Sequence, residues 1–172
     1  MKIPLKRTAI VAAFLAGLCS CMAAVIAGVD LATRQTIAQN RIDKENKGLA
    51  KIFGPGEFGE AIVLEESEFP LLKKYWTVEG IGRIYSASGK NSYGDVSLLV
   101  GVYEDYSLGN IAVLENTESY GATLEEGYLE PYADAEDKEK AVEDVSCGAT
   151  YGAKLCREMI RQSQAHYKGG SK

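Results

Sequence analysis

The chain has one histidine, one tryptophan, four prolines and no Cys-x-x-Cys pair. A lone histidine, His166, has no second imidazole with which to share a metal, and the cysteine spacing matches no zinc site, so a metal centre of that kind is excluded. Basic residues are scarce where acid is densest. Glu125, Glu126, Glu130, Asp134, Glu136, Asp137 and Glu139 crowd one segment of a chain whose formal charge is −5. A phosphate backbone needs clustered Lys and Arg, so nucleic acid is excluded as a partner. No internal repeat or low-complexity tract is visible. The 172 residues suit one membrane anchor plus one domain able to bury a core without staples.

What the chain does have is a long apolar run. Residues 9–29 are 21 consecutive positions without a formal charge. As a helix at about 1.5 Å per residue they reach about 30 Å, the thickness of a bilayer's hydrocarbon core. Lys2, Lys6 and Arg7 precede the run and Asp30 closes it, which predicts a single transmembrane helix with residues 1–8 in the cytoplasm. Arg34, Arg41, Lys44 and Lys47 on the far side weaken the charge bias, but a long exported domain escapes that rule. A cleavable signal peptide would have a shorter apolar core. A lipoprotein signal would use Leu18-Cys19-Ser20-Cys21 and lipidate Cys21. Neither rival explains eight further apolar or small residues after Cys21.

Beyond the span, residues 30–52 lack proline and predict a loosely amphipathic helix continuing the anchor, stopped by Gly54-Pro55-Gly56. With the connector it makes up residues 30–59. The folded domain is expected over 60–168, with a flexible tail at 169–172. Within it, strands are expected at 61–64, 80–87, 96–103 and 110–114, and a brief helix at 65–75 interrupted at Pro70. Helices are expected at 135–143 and 151–166, the latter with an apolar stripe of Leu155, Met159 and Ile160 beside Cys156. The fold class is α+β with a mainly antiparallel sheet and a C-terminal helix. Cys147 and Cys156 either bridge, if they face an oxidising space, or stand as separate thiols around a helix start; the second is the simpler reading.

The chemically suggestive segment is Asp144-Val145-Ser146-Cys147-Gly148-Ala149-Thr150, running directly into the last helix. Small residues let a backbone approach a ligand, and the free N–H groups of a helix start attract an anion such as phosphate. Thr150 would put a hydroxyl at that place. Plain helix capping accounts for the same residues, so local chemistry leaves both readings open.

The pattern Asp-x-x-(Ser/Thr)-Gly-Ala-Thr before a C-terminal helix resembles the flavinylation motif of FMN-binding domains, matched here at Asp144, Gly148, Ala149 and Thr150. More of the chain fits. The anchor followed by Thr36-Ile37-Ala38 is similar to the start of the G subunit of the Rnf electron-transport complex, and of the related C subunit of the sodium-pumping NADH:quinone reductase. Glycines 89 and 94 leading into the strand at 96–103, then the strand at 110–114, keep the family's order. Glu118-Ser119-Tyr120-Gly121 stands where the family often has Glu-Thr-Pro-Gly, a loop near the flavin.

The resemblance implies FMN joined by a flavin transferase to Thr150 through a phosphoester. Ser146, Cys147, Gly148, Ala149 and Asp144 would surround it, with Glu118, Ser119, Gly121, Thr123, Leu124 and Lys154 as further contacts. It implies a single-pass electron-relay subunit in a bacterial or archaeal cell membrane, its FMN domain extracytoplasmic, beside other membrane subunits of an ion-translocating ferredoxin/NAD complex rather than a stand-alone enzyme. The span carries no charge, so ion movement would belong to other subunits. The chain departs from the pattern at Cys147 (usually Ser or Thr), at Tyr151-Gly152, and at Tyr120 in place of the loop proline.

A second Gly-Ala-Thr, at 121–123, has Thr117 where the motif has its aspartate, and no apolar-striped helix is expected to follow it at once. Trp76 is expected in the core or on the membrane-facing side of the domain rather than beside a flavin, and Tyr85, Tyr93 and Tyr103 are expected to pack along strands. Two alternatives remain: a structural subunit of such a complex without flavin, motivated by Cys147 and Tyr151, and a lipid-anchored binding protein using Cys21.

Overall fold

The computed structural model describes residues 5–65 and 68–169; the expected cytoplasmic N-terminus and tail lie largely outside them. Two compact units are present, Met1–Asp43 and Lys44–Lys172. Helix α1 (Leu5–Phe53) forms the first unit and contributes its last turns to the second. In the first unit, the described side chains are exposed, and the helix is long and apolar enough to cross a membrane. Cys19 and Cys21 both lie within it as free, exposed thiols. Gly54, at φ 86°, ends α1 in the left-handed conformation that only glycine adopts without strain, and Pro55 prevents resumption.

The second unit is built on a five-stranded antiparallel meander in the order β1-β2-β3-β4-β5: Ile62–Val63, Leu72–Val78, Gly82–Asn91, Gly94–Tyr103 and Leu108–Asn116. Alternation along β4 sorts its side chains to two faces. Val96, Leu98, Val100 and Val102 enter a core shared with helix α5 (Thr150–Gly169), which supplies Ala153, Cys156, Met159 and Ile160. Leu99 points the other way, into a second core closed by Leu49 and Ile52 of α1 together with Trp76, Val78, Ile84 and Ala112. Gly101 makes that closure possible, because a Cβ there would lie 2.5 Å from Ile52 Cγ2. Lys74 ties the same face down: its Nζ is 2.8 Å from Glu45 and 4.8 Å from the centre of the Trp76 ring. Trp76 is therefore a core residue, as expected.

The sequence expectations need four corrections. The brief helix at 65–75 is not formed where it is described: residues 72–75 belong to β2, whose Tyr, Trp, Thr and Val content favours a strand once past Pro70. The strand expected at 61–64 is only Ile62–Val63, and β3 starts at Gly82 rather than at 80, whereas the far end of β3 and both β4 and β5 run beyond their apolar centres into Gly, Asn and Ser positions, because hydrogen-bonded pairing with a neighbour outlasts the apolar pattern. The helix at 135–143 begins only at Lys138, where the Asp137 carboxylate accepts from Lys140 N at 3.0 Å (α4, Lys138–Glu143). Lastly, a helical run was missed: α2 (Gly121–Leu124) passes through a π-helical turn, Glu125–Leu129, into α3 (Glu130–Asp134). It buries Leu124, Tyr128, Leu129 and Tyr132. Glu125-Glu126-Gly127 and Pro131 hide that face, and the π turn shifts its period.

Candidate functional site

Three segments meet at the start of α5: the β3–β4 turn, the loop from β5 to α2, and the stretch 144–149. The turn is fastened to the loop by Ser119 N donating to Tyr93 O at 3.0 Å and by Thr117 N donating to Asp95 O at 2.9 Å. Asn91 Oδ1 accepts from Tyr93 N at 2.7 Å, and its amide donates to Glu118 Oε1. Glu118 is consequently held in place although only 8% exposed, and its carboxylate lies against the helix start. A Cβ on Gly152 would sit 2.3 Å from Glu118 Oε2. Glycine at 152 is what lets the Glu118 carboxylate come this close to the helix start.

The stretch before α5 is a series of tight turns. Asp144 Oδ1 accepts from Ser146 N at 3.1 Å, and Val145 O accepts from Cys147 N at 3.0 Å. Ala149 is buried, and its carbonyl accepts the first helical bond from Ala153 N at 3.0 Å. Thr150 is exposed, and its Oγ1 donates to Cys147 O at 3.0 Å. Gly148 lies against Thr123, whose Cγ2 would be 2.7 Å from an added Cβ. The two Gly-Ala-Thr segments are therefore neighbours, each opening a helix, and the expectation that no apolar-faced helix follows residue 123 is overturned.

A cleft of about 240 Å³ opens here, lined by Tyr93, Glu118, Tyr120, Gly148, Ala149, Thr150, Tyr151 and Gly152. Of the residues proposed from sequence, Thr150, Gly148, Ala149 and Glu118 line it. Ser119, Gly121 and Thr123 stand just behind, in the loop and the first turn of α2. Five others lie elsewhere. Leu124 is fully buried in the core, Lys154 is exposed on α5, and Cys147 packs beside Gly127. Asp144 lines a separate hollow with Tyr128 and Tyr132. Ser146 is exposed in the turn. Arg157, half-buried, has its guanidinium 3.7 Å from Glu143.

Sequence reasoning put Tyr120 in the loop and Tyr151 next to Thr150 but named none of the three cleft tyrosines as a site residue. Tyr93 was expected to pack along a strand, yet it sits in the turn with 41% of its surface exposed; Tyr120 and Tyr151 are more exposed still. Each directly precedes Gly94, precedes Gly121 or follows Thr150, and an aromatic ring in such a small-residue turn was the available signal. Cys147 and Cys156 are free thiols in this structure, Cys156 buried and Cys147 half-buried. Burial pushes the Cys156 thiol up to about 12, and the neighbouring Glu118 and Cys147 add to the effect. Among the described residues no group of acidic, His and Cys side chains is arranged to hold a metal. No family model and no curated protein matches the chain.

Proposed function

We propose that the chain is a membrane-anchored flavoprotein subunit that relays electrons through FMN esterified to Thr150, within an Rnf-like electron-transport complex. The observation that carries the reading is the position of Thr150: its hydroxyl is exposed at the first turn of α5, on a cleft walled by aromatic rings and by the Glu118 loop. The residues present fit such a group. Gly148 and Gly152 leave the backbone uncovered, the helix start offers N–H groups to a phosphate, and the tyrosines offer aromatic surface to a flat ring. None of the lining residues is basic, so the phosphate charge would be met by the helix start, with Lys154 exposed one turn further on.

FMN, when bound, supplies one- and two-electron redox chemistry. The protein's part is position. The transferase would form the Thr150 Oγ1–phosphorus bond by breaking the pyrophosphate bond of a flavin dinucleotide donor, with a nucleoside monophosphate leaving and the hydroxyl proton released to solvent. Cys147 O then loses its Thr150 donor. Glu118, fixed by the Asn91 amide, forms one wall of the cleft. The span in α1 would hold the domain at the membrane beside partner subunits, its N-terminus cytoplasmic and its domain outside.

The test is direct. The chain, coproduced with a flavin transferase and run on a denaturing gel, is expected to give a flavin-fluorescent band, and Thr150→Ala is expected to abolish it. The second reading is a structural subunit without flavin. It is favoured by the Thr150 hydroxyl bond to Cys147 O, a helix-start contact that needs no ligand; it requires the band to be absent from the unaltered chain.

A further inference from the structure

Three tyrosines from three separate segments converge on the cleft. The Tyr93 ring is 5.6 Å from that of Tyr120, edge to face, and 5.7 Å from that of Tyr151, tilted by 42°. All three remain substantially exposed: 41%, 54% and 65% for Tyr93, Tyr120 and Tyr151. Large apolar surface left in water at one concave place marks a binding surface. The backbone beneath is fixed rather than loose. Ser119 holds Tyr93 O through both its N–H and its hydroxyl (3.0 and 3.3 Å), and Tyr151 is carried on the first turn of α5. A flat aromatic partner would meet these rings without first having to order them.

We propose that Tyr93, Tyr120 and Tyr151 form a stacking platform that takes the planar ring of the group tethered at Thr150. The inference rests on the flavin reading of Thr150 and adds which surface receives the ring. Thr150 and the three tyrosines line one cleft, so a tether at the hydroxyl holds a ring within reach of all of them. Tyrosine suits the task because it offers a rigid face with few rotatable bonds and keeps its hydroxyl toward water. The cleft's other charged or polar side chain, Glu118, is occupied by Asn91, so ring contact rather than ion pairing would set the orientation.

The platform makes a prediction that flavin attachment alone does not. A phenol in contact with an excited flavin gives up an electron to it and quenches its emission. The full-length loaded chain in detergent should therefore emit weakly when native and strongly after denaturation in SDS. Tyr93→Leu, Tyr120→Leu and Tyr151→Leu should each raise the native emission, and the triple variant should bring it close to the denatured level. All three side chains are exposed, so the substitutions leave the core intact, which the far-ultraviolet circular dichroism and melting curve of each variant verify. As a second readout, riboflavin titrated onto unloaded Thr150→Ala should bind about 2- to 10-fold more weakly for each ring removed. A loaded chain with a fluorescent gel band whose native emission equals its denatured emission, or is unchanged in the triple variant, overturns the platform and leaves Thr150 standing. A chain without any band overturns the Thr150 reading and the platform with it.

Discussion

Thr150, Cys156 and His166 lie along one helix, yet their surroundings give them different chemistry. Thr150 is in water at the first turn, whereas Cys156, two turns on, is sealed in the core. With its thiol raised to about 12, almost none is present as the reactive thiolate at neutral pH. In the folded protein Cys156 is expected to resist alkylation by iodoacetamide at pH 8 and to react fully in urea, as peptide mass mapping would show. His166 sits among Phe69, Tyr75 and Tyr85, with its Nδ1 3.1 Å from the Tyr85 hydroxyl. Burial first, and then the Arg83 charge, hold its pKa below the ordinary 6.5, partly offset by Glu68. The unfolded chain therefore takes up this proton at a higher pH than the folded one. The stabilisation present above about pH 6.5 is lost as the pH falls through that value toward the lower folded pKa. Tm is expected to drop between pH 7 and pH 5, and to drop less in His166→Gln. An equal fall in both would remove His166 from the account.

At the scale of elements, the sheet is covered on both faces by helices from opposite ends of the sequence: α5 on one, the last turns of α1 on the other. The second contact depends on a side chain that is missing. Gly101→Val would drive methyl groups into Ile52 and Phe53, and overpacking of this kind costs about 1–3 kcal/mol. Urea unfolding should show a lower midpoint with an unchanged slope. Much of this level was legible in advance. The β4 and β5 runs, the α1 stop at Gly54-Pro55-Gly56 and the apolar stripe of α5 all announce themselves by period or by turn chemistry. The helical run from 121 to 134 did not, because a π turn breaks its period and its buried face is half tyrosine. Nor was β2, where two lysines interrupt the strand signal and one of them turns out to pair with Glu45. The same limit applied to the site. Glycine-rich turns and a helix-start threonine can be read from order along the chain. The meeting of Tyr93, Tyr120 and Tyr151 is a tertiary event between residues up to 58 positions apart, and an exposed aromatic in a loop carries no period.

For the whole molecule, the division after Asp43 leaves Leu49 and Ile52 with the folded unit. A chain lacking residues 1–43 is expected to fold and to leave the membrane fraction. One lacking residues 1–53 is expected to be markedly less stable, since it loses two buried side chains, each contributing about 1.5–3 kcal/mol. Thermal melts and fractionation of the two truncations would separate anchoring from folding. The proposed role joins these levels: an apolar span to hold the protein at a membrane, a two-faced sheet to fix three loops, and one exposed threonine where those loops meet. Thr150 fluorescence tests that role most directly. In a host supplying a flavin transferase, the unaltered chain should run as a fluorescent band under denaturing conditions, and Thr150→Ala should run dark at equal protein load. A dark band from the unaltered chain, or a bright one from Thr150→Ala, would contradict the account.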